Sequence, residues 1–226
     1  MNDQKLLIFD FDDTLTDNTE RDLYSFLHII KKFNLVEIEK QKIVEWRKLG
    51  LLSNSIIQKL INSNDKLLFD KCINERLKFL DSYESYTKYV KLKLYTIKIL
   101  SKLNTENHIL TLNSIQSNNK NFQNVLKYFK INHYFQKIIT SDSSTTRNNK
   151  EQNRIEIKSE FYKQIISEFE FDKKNVIVVG NLASDIIPAE NLNLKSLMIK
   201  GSFGFDDHMC KTCVQISKLK QILDFL

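Results

Sequence analysis

Glycine and proline are scarce in this chain, at 4 and 1 of 226 residues, and cysteine numbers only 3. So little Gly and Pro excludes a collagen-like or Pro/Gly-rich low-complexity chain. Three unevenly spaced cysteines cannot build a disulfide framework. Cys210 and Cys213 form a CxxC with His208 just upstream. A structural zinc site needs four ligands, however, and neither a second CxxC nor a paired His at a suitable spacing follows. Ordinary reduced cysteines are expected, with Cys72 a small apolar residue inside a helical pattern. No apolar run reaches the roughly 18 residues of a membrane span, and no charged-then-apolar leader precedes the first strand-like segment. The expectation is a cytoplasmic protein with no membrane partner. Blocks of five or six like charges are missing as well. The formal charge of +6 is therefore dispersed, and a nucleic-acid partner would rest on that charge alone.

What is present is enough apolar material, 42% of residues, to fill a sizeable core, which excludes a wholly disordered chain. The length suits one domain, or one domain carrying a smaller insert. Short unbroken apolar runs at 5–9, 108–112, 137–140, 175–180 and 196–199 read as strands buried on both faces. Between most of them lie stripes at helical spacing, such as Phe122, Val125, Leu126 and Phe129, or Phe161, Ile165, Ile166 and Phe169. Strand alternating with helix predicts an α/β fold with a doubly wound, Rossmann-like parallel sheet. Residues 18–93 break the alternation with helical text alone, far longer than an ordinary crossover. They predict an all-helical domain inserted into a core formed by 1–17 and 94–226. Residues 141–153 read as a polar surface loop.

The first run ends in Asp10-Phe11-Asp12-Asp13-Thr14, at the strand edge where open α/β sheets bind ligands. Asp10 and Asp12 are two apart, which an extended backbone turns to one side. Two such charges about 4 Å apart repel by roughly 4 kcal/mol at an effective dielectric of 20, so a cation or a proton is needed between them. The second run continues into Thr111-Leu112-Asn113-Ser114, hydroxyl and amide groups able to help cradle an anion. A later run ends in Gly180-Asn181-Leu182-Ala183-Ser184-Asp185, whose Asn181 and Asp185 are able to reach the same edge.

Taken together these segments resemble the haloacid dehalogenase-like (HAD) superfamily. Asp10 to Thr14 is similar to its DxDxT motif, Thr111 to Ser114 to its second motif, and Gly180 to Asp185 to its GDxxxD motif. The helical insert resembles the family's C1 cap. The family's lysine has two candidates: Lys158, which precedes a possible N-cap at Ser159, and Lys150, which lies a better distance after the preceding strand. The resemblance favours Lys158.

The resemblance implies a Mg²⁺-dependent phosphatase of a small phosphorylated metabolite. Asp10 would be the nucleophile and form an aspartyl-phosphate, while Asp12 would be the acid and base. Thr111, Asn113 and Lys158 would bind phosphate, and Asp10, Asp12, Asp185 and Asn181 would supply metal ligands. Dehalogenases of the superfamily lack an acid at the position of Asp12, which favours phosphate transfer. The departure is Asn181, where the family usually carries Asp. It leaves open a catalytically weakened phosphometabolite binder beside the alternative of a phosphomutase. The segment from Glu45 to Gly50 offers Arg47 as a substrate-specificity residue, and the insert is expected to close over the site.

Overall fold

A computed structural model describes residues 4–116, 118–142, 151–204 and 211–226. Cys210, His208 and Lys150 therefore lie outside the described residues. Cys213 is disulfide-bonded, which corrects the expectation of reduced thiols throughout; Cys72 is free and buried.

Along the chain, β1 (Leu6–Phe9) and β2 (Thr16–Asp17) precede a run of helices, namely α1 (Thr19–Phe33), α2 (Lys40–Lys48), α3 (Ser53–Ile61), α4 (Lys66–Leu80) and α5 (Tyr83–Tyr89). Then come β3 (Lys91–Leu92), α6 (Thr96–Thr105), β4 (Ile109–Gln116), α7 (Asn119–Tyr128) and β5 (Lys137–Asp142). Next come α8 (Glu151–Phe169), β6 (Val176–Gly180), α9 (Ala183–Asn191), β7 (Lys195–Ile199) and β8 (Val214–Ile216), and a 3-10 helix follows at Leu219–Phe225. Two compact units result, one of Met1–Asp17 with Lys91–Leu226 and one of Asn18–Val90. The chain re-enters the first unit at Lys91 rather than at 94, because β3 pairs antiparallel with β2.

The first unit holds a six-stranded sheet of order β5-β4-β1-β6-β7-β8, every pair parallel. This is a doubly wound, Rossmann-like arrangement: crossovers from β1 run out to β4 and β5 on one side, then return to β6 on the other. The strand order reverses beside β1, and the carboxyl ends there form the crevice in which such sheets hold ligands. Alternation along β1 packs Leu6 and Ile8 with Tyr162, Ile165, Val176, Val178 and Ala189 in one core cluster. Phe11, just past β1, packs edge-on against Phe122 with centroids 5.1 Å apart.

The helical unit buries an apolar stripe of α1, including Leu23, Phe26 and Ile29, and one of α3, including Ile56, Ile57 and Leu60. Asn34 and Asn62 terminate α1 and α3 in the left-handed region, at φ 49° and 50°. That role usually falls to glycine. In a chain with 4 glycines, asparagine, the side chain that best tolerates this backbone, takes it.

Two expectations change. β4 does not stop at Leu112; it continues through the polar residues to Gln116, because β5 pairs with it as far as Asp142. α8 begins at Glu151, so Lys158 lies two turns inside a helix and Ser159 caps nothing.

Candidate active site

Asp10 continues the ladder of β1, donating its N–H to Val179 O at 2.9 Å. The chain then turns sharply, with Thr14 N and Leu15 N both donating to Phe11 O at 3.3 and 3.0 Å. Asp13 takes φ 58° within this turn, and Thr16 Oγ1 closes it by donating to Phe11 O and accepting from Asp13 N. The turn folds Thr14 back onto the strand end. Its hydroxyl lies 3.1 Å from Asp10 Oδ2 and 3.3 Å from Asn181 Oδ1.

Lys158 reaches the same point from α8. Its Nζ is 2.8 Å from Asp10 Oδ1, 2.9 Å from Asp185 Oδ1 and 3.4 Å from Asn113 O, with the residue 2% exposed. One helical turn on, Tyr162 donates its hydroxyl to Asp185 O at 3.1 Å, which anchors α8 to the start of α9. Asp185 Oδ2 accepts from Asn181 N and Leu182 N, each at 3.2 Å. Gly180 makes this fit possible: a β-carbon there would stand 2.3 Å from Asp185 Cβ.

The electrostatics follow from two buried carboxylates around one buried cation. Burial raises the Asp10 carboxyl to about 7; Lys158 opposes the shift, and the Asp185 charge adds to it. Burial acts to lower the Lys158 ammonium, but Asp10 and Asp185 outweigh it and hold the amine above its ordinary value. Burial, then the charges of Asp185 and Asp10, keep the Tyr162 hydroxyl un-ionised. Beyond the turn, Asp12 Oδ2 accepts from Gln116 Nε2 at 2.9 Å.

The structure thus brings Asp10, Lys158, Asp185 and Asn181 together, with Asp12 beside them on the same turn. It does not bring Thr111. That residue stands opposite Ile8 and donates its hydroxyl to Leu7 O at 3.4 Å. Leu7 is three residues behind Asp10 on a strand rising about 3.3 Å per residue. Because β4 runs on past Leu112, the hydroxyl at the correct depth is Ser114. The Asn113 side-chain nitrogen donates to Phe9 O at 3.1 Å, which ties β4 to β1. Asp185 has both side-chain oxygens engaged by protein groups, Oδ1 by Lys158 and Oδ2 by two backbone N–H groups.

The oxygens fit a hard cation. Asp10 Oδ2 and Asn181 Oδ1 converge on the Thr14 hydroxyl, which contacts both. Among the described residues no three His, Cys, Asp or Glu side chains converge to hold a metal, so the candidate set is one carboxylate, one amide oxygen and backbone. Mg²⁺ accepts such a sparse set because it keeps several waters.

Arg47 belongs to the helical unit. It lies in α2, and its Nε and Nη2 contact Asp22 Oδ2 and Oδ1 at 2.8 Å each. Arg76 contacts the same carboxylate. These bonds hold the helices of the second unit to one another. Thr14, Tyr162 and Gln116 escaped the reading of the sequence for site residues; Tyr162, four residues after Lys158, had a signal in its helical spacing, and Gln116 had none.

A model of haloacid dehalogenase-like hydrolases matches residues 7–199. No curated protein matches the chain by sequence. Among solved structures, a candidate phosphatase from Clostridium difficile is 20% identical with a TM-score of 0.77, covering 99% of this chain and 98% of its own. A predicted phosphoglycolate phosphatase from Haemophilus somnus is 17% identical with a TM-score of 0.72, covering 100% and 99%. Protein tyrosine kinase A of Mycobacterium tuberculosis is 15% identical with a TM-score of 0.72, covering 98% and 97%. At these identities the likeness establishes a shared fold.

Proposed function

The chain belongs to the haloacid dehalogenase-like hydrolases, and from that premise we propose that it hydrolyses a small phosphorylated metabolite through an aspartyl-phosphate on Asp10. The observation that carries this reading is the buried Lys158 ammonium on Asp10 Oδ1, with a second carboxylic acid, Asp12, two residues on. A carboxylate approaching a phosphate dianion needs its charge offset beforehand, and a cation fixed in a water-poor site offsets it without reorganising.

Asp10 attacks phosphorus; the Asp10–phosphorus bond forms as the ester P–O bond breaks, and Asp12 gives its proton to the departing oxygen. Water then attacks phosphorus, the Asp10–phosphorus bond breaks, and Asp12 takes the proton back. Lys158 and the Ser114 hydroxyl face the equatorial oxygens, where charge spreads in the transition state. Asp10, Asn181 and the Asp12 carbonyl would hold Mg²⁺, which when bound supplies positive charge to the phosphoryl oxygens.

The neighbours named as phosphatases support this reaction class, although one neighbour named as a kinase shows that the fold alone does not choose it. Asn181 favours a second reading, a weakened member that binds phosphometabolites without turning them over. The deciding experiment is a phosphomonoester panel with and without Mg²⁺, run beside Asp10→Asn. Phosphate released by the wild type and not by the variant supports hydrolysis, and isomerised product would assign a mutase. Activity that survives in Asp10→Asn removes the nucleophile, and silence across the panel favours the binder.

A further inference from the structure

Gln116 is the last residue of β4, a strand that Leu112 already carries to the level of Phe9. The extra residues bring its side chain, 6% exposed, to the turn that follows Asp10. Its amide nitrogen carries two hydrogens, and two acceptors stand 2.9 Å away: Asp12 Oδ2 and Ser114 Oγ. Residues 114 and 116 share a face of β4, so one amide spans from the strand to the loop.

We propose that Gln116 is a positioning residue for proton transfer, orienting the Asp12 carboxyl toward the leaving oxygen and aiming the Ser114 hydroxyl at the phosphoryl group. The inference rests on the reading of Asp12 as the acid and base. A neutral amide suits the task. It donates to the carboxyl yet does not ionise in the working pH range, so it fixes the plane of Asp12 without competing for the transferred proton. A lysine in its place would add a permanent charge to the acid. Ser114 Oγ accepts from the amide, and a hydroxyl has one hydrogen. That hydrogen is thereby turned away from Gln116 and directed to another acceptor.

The test compares kcat/KM for two substrates in Gln116→Met, which keeps length and packing but removes both donors. One is 2,4-dinitrophenyl phosphate, whose leaving group departs without a proton; the other is the best alkyl phosphate of the panel, whose leaving group needs one. Misplacing a catalytic group by about 1 Å costs on the order of 100-fold. The alkyl phosphate is expected to lose roughly that factor beyond any loss of the dinitrophenyl ester, whose own loss reads the aim of the Ser114 hydroxyl alone. Because the ratio is read within one preparation, a smaller folded fraction scales both rates equally. Gln116→Asn, which keeps the amide one methylene short, gives a second reading of the same ratio. An unchanged ratio in both variants overturns the inference. Asp12→Asn runs alongside: if it too leaves the ratio unchanged, the acid assignment fails, whereas its collapse beside a wild-type ratio in Gln116→Met defeats only the role of Gln116.

Discussion

Lys158 Nζ stands 2.8 Å from Asp10 Oδ1, although 148 residues separate the two in sequence. The same nitrogen meets Asp185 Oδ1 at 2.9 Å, so a single buried cation offsets two buried acids. Removing it strands both. Lys158→Met should abolish turnover and destabilise the fold by about 3–5 kcal/mol, the range for breaking a buried ion pair. Chemical denaturation would check the second part; a variant as stable as wild type would show that the pair does not hold in solution.

Asp10 gives a pH signature. Its carboxyl is raised from 3.8 to about 7, so the folded protein binds this proton more tightly than the unfolded chain. The resulting stabilisation is complete below about pH 4 and is lost as pH rises through about 7. Asp10→Asn has no such titration. In EDTA, the Tm of the wild type relative to Asp10→Asn should fall by a few °C, as an order of magnitude, between pH 5 and pH 8. A constant difference would contradict the raised value.

Asn181 places a neutral amide oxygen where a carboxylate would add charge. Asn181→Asp keeps an acceptor for the Thr14 hydroxyl and adds that charge. The Mg²⁺ concentration giving half-maximal activity should drop, on the order of tenfold, since affinity follows ligand charge. Calorimetric titration with Mg²⁺ would read the same change without turnover, and unaltered affinity would place the ion elsewhere.

Gly180 has no room for a side chain, because a β-carbon would meet Asp185 Cγ at 2.5 Å. Gly180→Ala should cost about 3 kcal/mol through overpacking. It should also push Asp185 off Lys158, lowering kcat more than stability alone explains. Thermal unfolding and kcat measured together test this, and a silent substitution would count against the close approach.

Arg47 carries a structural role inside the helical unit. As a specificity residue it would affect KM when replaced by Ala. Bound to Asp22 through two 2.8 Å contacts, it should instead affect stability, by about 1.5–3 kcal/mol for charged hydrogen bonds of this kind. Urea unfolding should show an earlier transition with KM unmoved, and a raised KM at unchanged stability would restore the specificity role.

The legible parts of the sequence were those where one short segment carries its own physics. An unbroken apolar run ending in acids reads as a covered strand delivering carboxylates to an edge, so Asp10 and Asp12 were readable where they stand. The same held for Gly180 through Asp185, a run that closes on itself. Thr111 was misplaced because the polar residues after Leu112 look like the end of a strand. Pairing with β5 keeps them extended, and the depth of a hydroxyl depends on how far that pairing goes.

Local sequence alone therefore determined the strand-and-helix alternation, the helical insert and the placing of Asp10 and Asp12 at a strand edge, since each follows from periodicity or adjacency. Tertiary structure decided the rest: Lys158 as the buried cation, Asn181 as the oxygen that converges with Asp10, Asp185 as an anchor and Gln116 as the partner of Asp12. Those choices turn on distances between residues remote in sequence, and register and helix packing set such distances, which no local pattern encodes.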